Sequence, residues 1–414
     1  MNPSNRVCMN PRFAVLAVVM LVIAGSAAAG ELRLVTANSG VADEFGYSVA
    51  ADANLLLAGA PGENDQAGAA YVFRCENQGC LQEARLSNLT VTSGHAFGAE
   101  VALFGADLFV AAPRQNAGAV FAYQRPAAGV VTAHSVLMAK DGAAGDEFGA
   151  TMAFDGNTLV IGAPGDDNDR GSVHVYVRQS GEWVLQSHLF AWDGAARDRF
   201  GSAVAIQGDR IAVGAPFDGG IGMASPYARG AVYLFTRSGG LWAPEQKILA
   251  PNAANGDLFG RSLHLSANRL VVGAPGRNDH LEASWFERPG GSWQNLGSLL
   301  PTAPWRSTVR LEPLFAQRRS MGGVPFAAVF PSPGCGLLTN LREELAGYIE
   351  VGSLKLRSPR PGDLSGWAGS ASSSGVFVAA PGRNVTTQQQ GAVAWYDPVR
   401  QMFDDSFDTA DLCP

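Results

Sequence analysis

The stretch LVIGAPGDDNDRGSVHVY, residues 159–176, decides how the chain is to be folded. An apolar run ends at Gly-Ala-Pro, an acidic turn-forming segment follows, and a second run alternates apolar with polar side chains. This order recurs seven times, 50 to 59 residues apart, around a shared proline: Pro61, Pro113, Pro164, Pro216, Pro275, Pro331 and Pro381. A period of this size indicates an array of similar structural units.

A second mark, the pair Phe-Gly, precedes the proline in five units. The pairs are Phe45-Gly46, Phe97-Gly98, Phe148-Gly149, Phe200-Gly201 and Phe259-Gly260. Unit seven has Gly366 at the matching place, and unit six has lost the pair. We interpret all of these as packing positions. The phenylalanine fills space between sheets, the glycine lets backbones approach, and the proline ends a strand because it has no N–H to donate.

Each unit reads as four short strands. In unit three the strands are 149–154, 158–163, 171–178 and 182–190. Tight turns at 155–157 and 180–181 separate the first strand from the second and the third from the fourth. Four strands in about 50 residues predict an all-β fold, a seven-bladed β-propeller of four-stranded blades over residues 31–400.

The two ends of the array predict how the ring closes. Unit seven ends in a third strand at 391–398, and the tail that follows, 401–414, is acidic. Residues 31–36 precede the first unit and place Leu32 and Leu34 on one face, with Arg33 on the other. We therefore expect 31–36 to be the outer strand of the seventh blade, which removes a free edge.

Residues 1–29 have the three parts of a secretory signal peptide. Arg6 and Arg12 are basic, 13–25 is an apolar run, and small alanines follow up to residue 29. The apolar run is too short for a membrane-spanning helix. We expect export to the extracellular space, the periplasm or the cell surface, with no transmembrane segment in the mature chain.

Charge and cysteine usage fit an exported protein. The formal net charge of −7 argues against binding to nucleic acid. Beyond the signal segment the cysteines are Cys75, Cys80, Cys335 and Cys413. An even number in an exported chain favours disulfides. Cys75 with Cys80 would staple one hairpin and leave Cys335 with Cys413; the alternative is unpaired buried thiols.

The recurring "FG" and "GAP" motifs, and third strands such as "GAVYLF" at 230–235, resemble the FG-GAP repeat family. This is the propeller repeat of integrin α subunits and of many exported bacterial proteins. The stretch WVLQSHLFAWDGAARDRFG, 183–201, resembles the bacterial branch. The resemblance implies a seven-bladed propeller with a ligand face. That face carries the loops from strand two to strand three and from strand four to the next blade.

In integrin-like members calcium lies on the opposite face, in acidic loops between strands one and two. Here those links are tight turns with at most one acid each: 50–55, 103–108, 154–159, 206–211 and 265–270. Calcium needs six to eight oxygen ligands, which such turns cannot supply. We therefore expect no calcium requirement and no cofactor. Asp166, Asp167 and Asp169 lie in a strand two–three loop, where other units do not keep the acids. They are weak candidates for a cation, and turn geometry explains them as well.

The chain has no GxSxG, HExxH or CxxC motif. Its histidines occur about one to a unit with no metal-binding spacing: His95, His134, His174, His188, His264 and His280. Acids recur before Phe-Gly at Asp43, Glu44, Asp146, Glu147, Asp198 and Asp257. They could mimic a catalytic pair, but their recurrence favours loop capping. We expect that the protein is not an enzyme.

Three functions remain open at this point. The first is a secreted binding module for a protein or glycan, including cell adhesion, that uses the ligand face. The second is a hydrolase or lyase with an acidic site on that face, and the third is a structural module associated with the cell envelope. A basic segment in unit six is a candidate partner surface, through Arg306, Arg310, Arg318 and Arg319.

Overall fold

The structure is a computed structural model. It describes residues 31–34, 42–76, 79–219, 228–251, 253–266, 268–274 and 282–299, and further backbone strands between residues 314 and 396. Several predictions fall outside the described residues. They concern the signal segment 1–29, the tail 401–414, Arg306, Arg310, Arg318, Arg319, Cys335, Cys413, Pro275, Pro331, Pro381 and Gly366.

The described strands form four-stranded antiparallel sheets, numbered here in chain order. Sheet one contains β2 (Val49–Asp52), β3 (Leu55–Ala60), β4 (Ala69–Glu76) and β5 (Gly79–Leu86). Sheet two contains β6 (Glu100–Phe104), β7 (Asp107–Ala112), β8 (Ala119–Ala127) and β9 (Val130–Leu137). Sheet three contains β10 (Thr151–Asp155), β11 (Thr158–Ala163), β12 (Ser172–Gln179) and β13 (Glu182–Leu189). Sheet four contains β14 (Ala203–Gln207), β15 (Arg210–Ala215), β16 (Ala231–Ser238) and β17 (Leu241–Leu249).

The later sheets follow the same plan. Sheet five contains β18 (Ser262–Ser266), β19 (Arg269–Ala274), β20 (Glu282–Glu287) and β21 (Gln294–Leu299). Sheet six contains β22 (Leu314–Ala316), β23 (Phe326–Phe330), β24 (Leu337–Glu344) and β25 (Gly347–Lys355). Sheet seven contains β26 (Gly369–Ser372), β27 (Gly375–Ala380), β28 (Ala392–Tyr396) and β1 (Glu31–Leu34). Single helical turns are α1 (Glu63–Gln66), α2 (Asp166–Asp169) and a 3-10 turn at Pro289–Gly291. The all-β, blade-like architecture predicted from the repeats is thus confirmed; the number of blades and the closure of the ring stay predictions.

Burial explains why the second strand of a unit is its most apolar run. Every residue of β3, β7 and β11 is buried. The fourth strands β9 and β13 instead expose many of their side chains. A strand covered on both faces reads as a continuous apolar run, whereas an outer strand with one wet face alternates. The GAP motif therefore ends the strand at the centre of each core.

The Phe-Gly pair joins one sheet to the next. The five phenylalanines of the pairs are at most 1 % exposed. The N–H of Phe148 donates to the carbonyl of Ala117 in sheet two at 2.8 Å, and that of Gly149 donates to Gly162 in sheet three at 3.0 Å. At Gly162 a Cβ would lie 2.2 Å from the carbonyl oxygen of Gly201, so only glycine allows this contact between sheets three and four.

The N-terminal strand pairs with the last strand of the array. Glu31 lies opposite Tyr396 and Leu34 lies opposite Val393, in antiparallel register. The order of sheet seven is accordingly β1-β28-β27-β26, with Glu31–Leu34 in the outer position. Of the segment predicted to fill that position, 31–36, the first four residues do so.

A disulfide joins Cys75 and Cys80 across the hairpin between β4 and β5. It staples the tip of sheet one, as the close spacing of the two cysteines suggested. Within the described part of the chain, the helical segments are all too short and too polar to cross a membrane.

Candidate functional site

Antiparallel topology sets two kinds of loop at the same end of every sheet. The loop from the second strand to the third and the connection from the fourth strand to the next sheet both emerge there; we call this end the loop face. Backbone hydrogen bonds tie the two together. Arg197 N donates to Asn168 O at 3.1 Å, and Arg199 N donates to Asp169 O at 2.7 Å. The loop of one sheet thereby positions the connection to the next.

The acidic segment of the opening stretch is a turn on this face. Asp167 and Asn168, within α2, have φ values of 48° and 59°. This left-handed conformation strains most side chains, but Asp and Asn tolerate it because they bond locally to the backbone. The composition of the segment is therefore accounted for by its backbone geometry.

The three weak cation candidates of this turn face different partners. Asp169 accepts a hydrogen bond from Arg199 at 2.7 Å, and Asp167 lies 3.7 Å from the guanidinium of Arg170. Asp166 faces His188, with 3.8 Å between Oδ2 and Nε2. The three carboxylates therefore do not share a ligand position, and only Asp166 belongs to a larger cluster.

The acids that precede Phe-Gly act as caps. Asp146, Asp198 and Asp257 each accept a hydrogen bond from the backbone N–H three residues before, at 2.6, 2.7 and 2.8 Å. Burial raises the pKa of Asp146 and of Asp198. Glu147 pairs with Arg199 instead. Each of these four carboxylates therefore has a structural partner.

Beneath the loop face, sheet one carries a closed polar cluster. The hydroxyl of Tyr71, on the third strand, donates to Glu63 of α1 at 2.6 Å. Arg85, on the fourth strand, donates from Nε to the other oxygen of Glu63 at 2.9 Å. The buried carboxylate thus has both a hydrogen-bond donor and a counter-charge, as a buried acid requires.

Sheet four repeats this arrangement at the aligned positions. The ammonium of Lys247 donates to Asp193 and to Asp218 at 2.8 Å each. The Tyr233 hydroxyl lies 2.6 Å from Asp218 and 2.7 Å from Asp193. Although burial by itself lowers the pKa of Lys247, the hydrogen bonds to the two carboxylates raise it overall. The ammonium group of Lys247 is thus the counter-charge for both carboxylates.

Sheet three departs from this pattern at the same positions. His174 replaces the tyrosine and His188 replaces the cation, and the two lie opposite each other on β12 and β13. Their rings stack with centroids 3.9 Å apart and an angle of 28° between planes. Asp141, from the connection before sheet three, and Asp166 complete the group. One ligand atom from each of Asp141, His174 and His188 lies within 4.8 Å of the others. We call Asp141, Asp166, His174 and His188 the histidine cluster.

Both rings of the histidine cluster favour the neutral form. Burial, with a smaller effect of His188, lowers the pKa of His174 to about 3, and burial also lowers the pKa of His188. His174 is 2 % exposed, and among the described residues neither of its ring nitrogens has a hydrogen-bond partner. Nε2 of His188 likewise has no hydrogen-bond partner there. Sequence spacing had given the histidines no metal-binding pattern, whereas the structure brings two of them together with two acids.

A second feature of the loop face is a band of exposed apolar side chains. Met138, Phe190 and Leu249 occupy the same position, where the fourth strand meets the connection, and are 61 %, 39 % and 54 % exposed. Leu89 and Trp192 share the position two residues later in their units and are also exposed. We call these five residues the apolar band. Sequence reasoning missed it because each member is a lone apolar residue in a polar linker.

Comparison with known proteins identifies the repeat. The sequence profile of the FG-GAP repeat matches residues 31–73, 131–176, 183–235 and 242–284. No curated protein matches the chain. The four matches fall on the segments in which the FG and GAP motifs mark the units. They confirm the resemblance, and the chain belongs to the FG-GAP repeat family.

Proposed function

We propose that this chain is an exported, non-catalytic β-propeller that binds a protein or glycan through its loop face. The observation that carries the proposal is the apolar band of Leu89, Met138, Phe190, Trp192 and Leu249. Exposed apolar residues that a scaffold repeats on one side can together form a surface that a partner covers. Their recurrence at one place in successive units directs them to one side of the scaffold.

The surroundings of the apolar band suit recognition. Trp192 is 45 % exposed, and its ring rests edge-on against buried Tyr233 at 4.9 Å between centroids. Phe190 lies against His188 at 4.3 Å. Such rings are held in place before a ligand arrives, which lowers the entropic cost of binding. Asp193 follows Trp192 in the chain, and the guanidinium of Arg170 donates to the carbonyl of Ala191 at 3.4 Å. Aromatic faces beside such groups offer both stacking and hydrogen bonds to a sugar or a protein side chain.

A closed seven-bladed ring would supply the rigid platform for this face. Two observations support it. The pairing of β1 with β28 ties the N-terminal end of the array to its last sheet. The innermost strands of successive sheets are neighbours in space, and β26 of sheet seven lies beside β2 of sheet one. Loops on such a scaffold can vary in sequence without loss of the fold.

Export and the lack of catalysis rest on separate arguments. Residues 1–29 have the composition of a signal peptide, and the disulfide Cys75–Cys80 fits an oxidising compartment. The recurring acids that could mimic a catalytic pair are engaged as caps at Asp146, Asp198 and Asp257. A binding role, in contrast, requires no free acid on the loop face.

The test compares two surface variants in the same binding assays. Phe190→Ser/Trp192→Ser removes the aromatic part of the apolar band. Leu241→Ser removes an equally apolar side chain, 76 % exposed, at the start of β17 and so at the opposite end of sheet four. The purified mature chain is applied to a glycan array and used for affinity capture from an envelope extract.

We expect selective binding that falls at least tenfold in the double variant and changes less than twofold in Leu241→Ser. A loss of that size corresponds to about 1.4 kcal/mol or more, the scale of one aromatic anchor at an interface. The proposal fails if the native chain enriches no glycan and no protein over a denatured control. It fails equally if the double variant binds as the native chain does.

A further inference from the structure

We propose that the histidine cluster of sheet three binds a divalent transition-metal ion, with Asp141, His174 and His188 as ligands and Asp166 beside them. Zinc is the ion that we would test first. The proposal concerns a site within one sheet and does not depend on what the loop face binds. It departs from the expectation of no cofactor, which rested on the absence of acidic calcium loops between the first and second strands.

The geometry is close to that of a metal site. The ligand atoms of Asp141, His174 and His188 lie within 4.8 Å of one another. Two ligands about 2.1 Å from one tetrahedral zinc ion lie about 3.4 Å apart, so any pair near the 4.8 Å limit has to approach by about 1 Å or more. The two histidines sit on paired strands, whereas Asp141 is exposed on a connection and can move toward them.

The second observation is the state of His174. Its side chain is 2 % exposed, and neither ring nitrogen has a hydrogen-bond partner among the described residues. An unsatisfied buried polar group costs about 1–3 kcal/mol, so natural proteins avoid it unless it has a role. Coordination of a metal by one nitrogen would remove part of that cost.

The third observation is a missing positive charge. In sheets one and four the acids under the loop face have a permanent cation, Arg85 or Lys247. In sheet three that position holds His188, whose imidazole carries no permanent charge, while Asp166 lies 3.8 Å from its Nε2 and Asp141 lies in the same group. A bound divalent ion would restore the balance that the aligned clusters achieve with a side chain.

The types of ligand atom in the histidine cluster determine which metal ion it would prefer. Two imidazoles and a carboxylate favour Zn²⁺, Ni²⁺ or Cu²⁺ over Ca²⁺, which takes oxygen ligands. Three protein ligands leave a coordination position on a tetrahedral ion, and Asp141 lies on the exposed side of the group. The ion would thus be reachable from the loop face, between the turn α2 and the connection that enters sheet three.

The experiment uses untagged, EDTA-stripped mature protein. Zinc is titrated by calorimetry, and cobalt is added separately to read its visible absorption, which reports nitrogen and oxygen ligands around the ion. We expect one zinc per chain with a Kd in the micromolar range or below. His188→Ala should weaken binding at least 100-fold, and Asp141→Asn about tenfold, because each removes one ligand.

Two further variants separate the histidine cluster from incidental binding. His134→Ala is the matched control, since His134 on β9 also lies 3.8 Å from a carboxylate, that of Glu182, but is not in the metal-binding group. It should bind zinc as the native chain does. His174→Tyr/His188→Lys introduces the residue types of sheet four and should abolish binding while the protein stays folded.

The proposal is overturned if the native chain takes up no zinc up to millimolar concentration, or if His188→Ala binds as well as native protein. It is also overturned if calcium binds as tightly as zinc. Should the double variant fail to fold, the single variants His188→Ala and Asp141→Asn, checked by circular dichroism, decide the matter by their affinities.

Discussion

Sheets three and four carry the same strands, the same Phe-Gly and GAP motifs and the same polar positions, yet the centres of their clusters differ. In sheet four Lys247 holds two carboxylates and a tyrosine in a closed network. In sheet three His188 and His174 stack on each other and leave ring nitrogens without partners among the described residues. The scaffold is constant, and the side chains beneath the loop face are free to diverge.

The comparison teaches where to look for function in a repeat protein. Residues that recur in several units have structural roles, as the caps Asp146 and Asp198 show. A position that is filled in sheets one and four by a satisfied pair and in sheet three by an unsatisfied one has lost a structural constraint. That is the argument for assigning a specific role to His174 and His188 rather than to the acids that recur.

The largest effect on stability should come from disturbing the contact between sheets three and four at Gly162. Gly162→Ala places a Cβ 2.2 Å from Gly201 O and 2.4 Å from Thr151 Oγ1, so backbone must move. We expect a loss of at least about 4 kcal/mol in the free energy of unfolding, or no folded protein. The measurement is urea unfolding followed by circular dichroism.

The matched control for this change is Gly156→Ala in the same sheet. Gly156 has φ +59° and no heavy atom within 4 Å of the added Cβ, so it reports the cost of the left-handed backbone without a clash. We expect about 1 kcal/mol there. Equal losses in the two variants would show that the contact between sheets is not the constraint.

The next prediction compares the Lys247 cluster of sheet four with the histidine cluster of sheet three. Lys247→Met leaves Asp193 and Asp218 near each other without their cation. We expect a loss of about 2–3 kcal/mol in the free energy of unfolding. The loss is smaller than for a fully buried pair because Lys247 is 23 % exposed. His188→Met should cost less than about 1 kcal/mol in EDTA, since its ring nitrogen Nε2 has no hydrogen bond to lose among the described residues. Urea unfolding at neutral pH measures both losses. Similar losses in the two variants would contradict the difference that we infer between the clusters of sheets three and four.

The last effect is a pH dependence specific to sheet three. The pKa of His174, about 3, lies below its unfolded value of 6.5, so the unfolded chain binds more protons. Stability is therefore fully present above pH 6.5 and is lost as the pH falls toward 3. From pH 7.5 to pH 5 the loss from this group is roughly 2 kcal/mol. Asp141 and His188 face His174, and Asp166 faces His188.

The measurement is the free energy of unfolding of the EDTA-treated protein at pH 5 and pH 7.5. His174→Tyr/His188→Lys should show a smaller difference, because neither new side chain titrates in that range. An unchanged pH dependence in this variant would mean that groups elsewhere govern the acid sensitivity.

Much of the scaffold could be predicted from the sequence. The period set by Pro61 to Pro216, the Phe-Gly pairs and the turns within each unit are local signals, and local signals are sufficient for strands joined by tight turns. The disulfide Cys75–Cys80 and the pairing of Glu31–Leu34 with the last strand also follow from short-range spacing and from counting strands.

The tertiary structure decided what meets beneath the loop face. From the turn at Ser180-Gly181, unbroken pairing would set His174 opposite Ser187. A β-bulge between Val175 and Tyr176 shifts the register by one residue and sets it opposite His188. Asp141 then arrives from the preceding connection and Asp166 from the turn α2. Sequence alone determined the repeat because strand formation and turns depend on neighbours in the chain. The histidine cluster depends on a one-residue shift and on contacts between distant segments, which only the packed fold fixes.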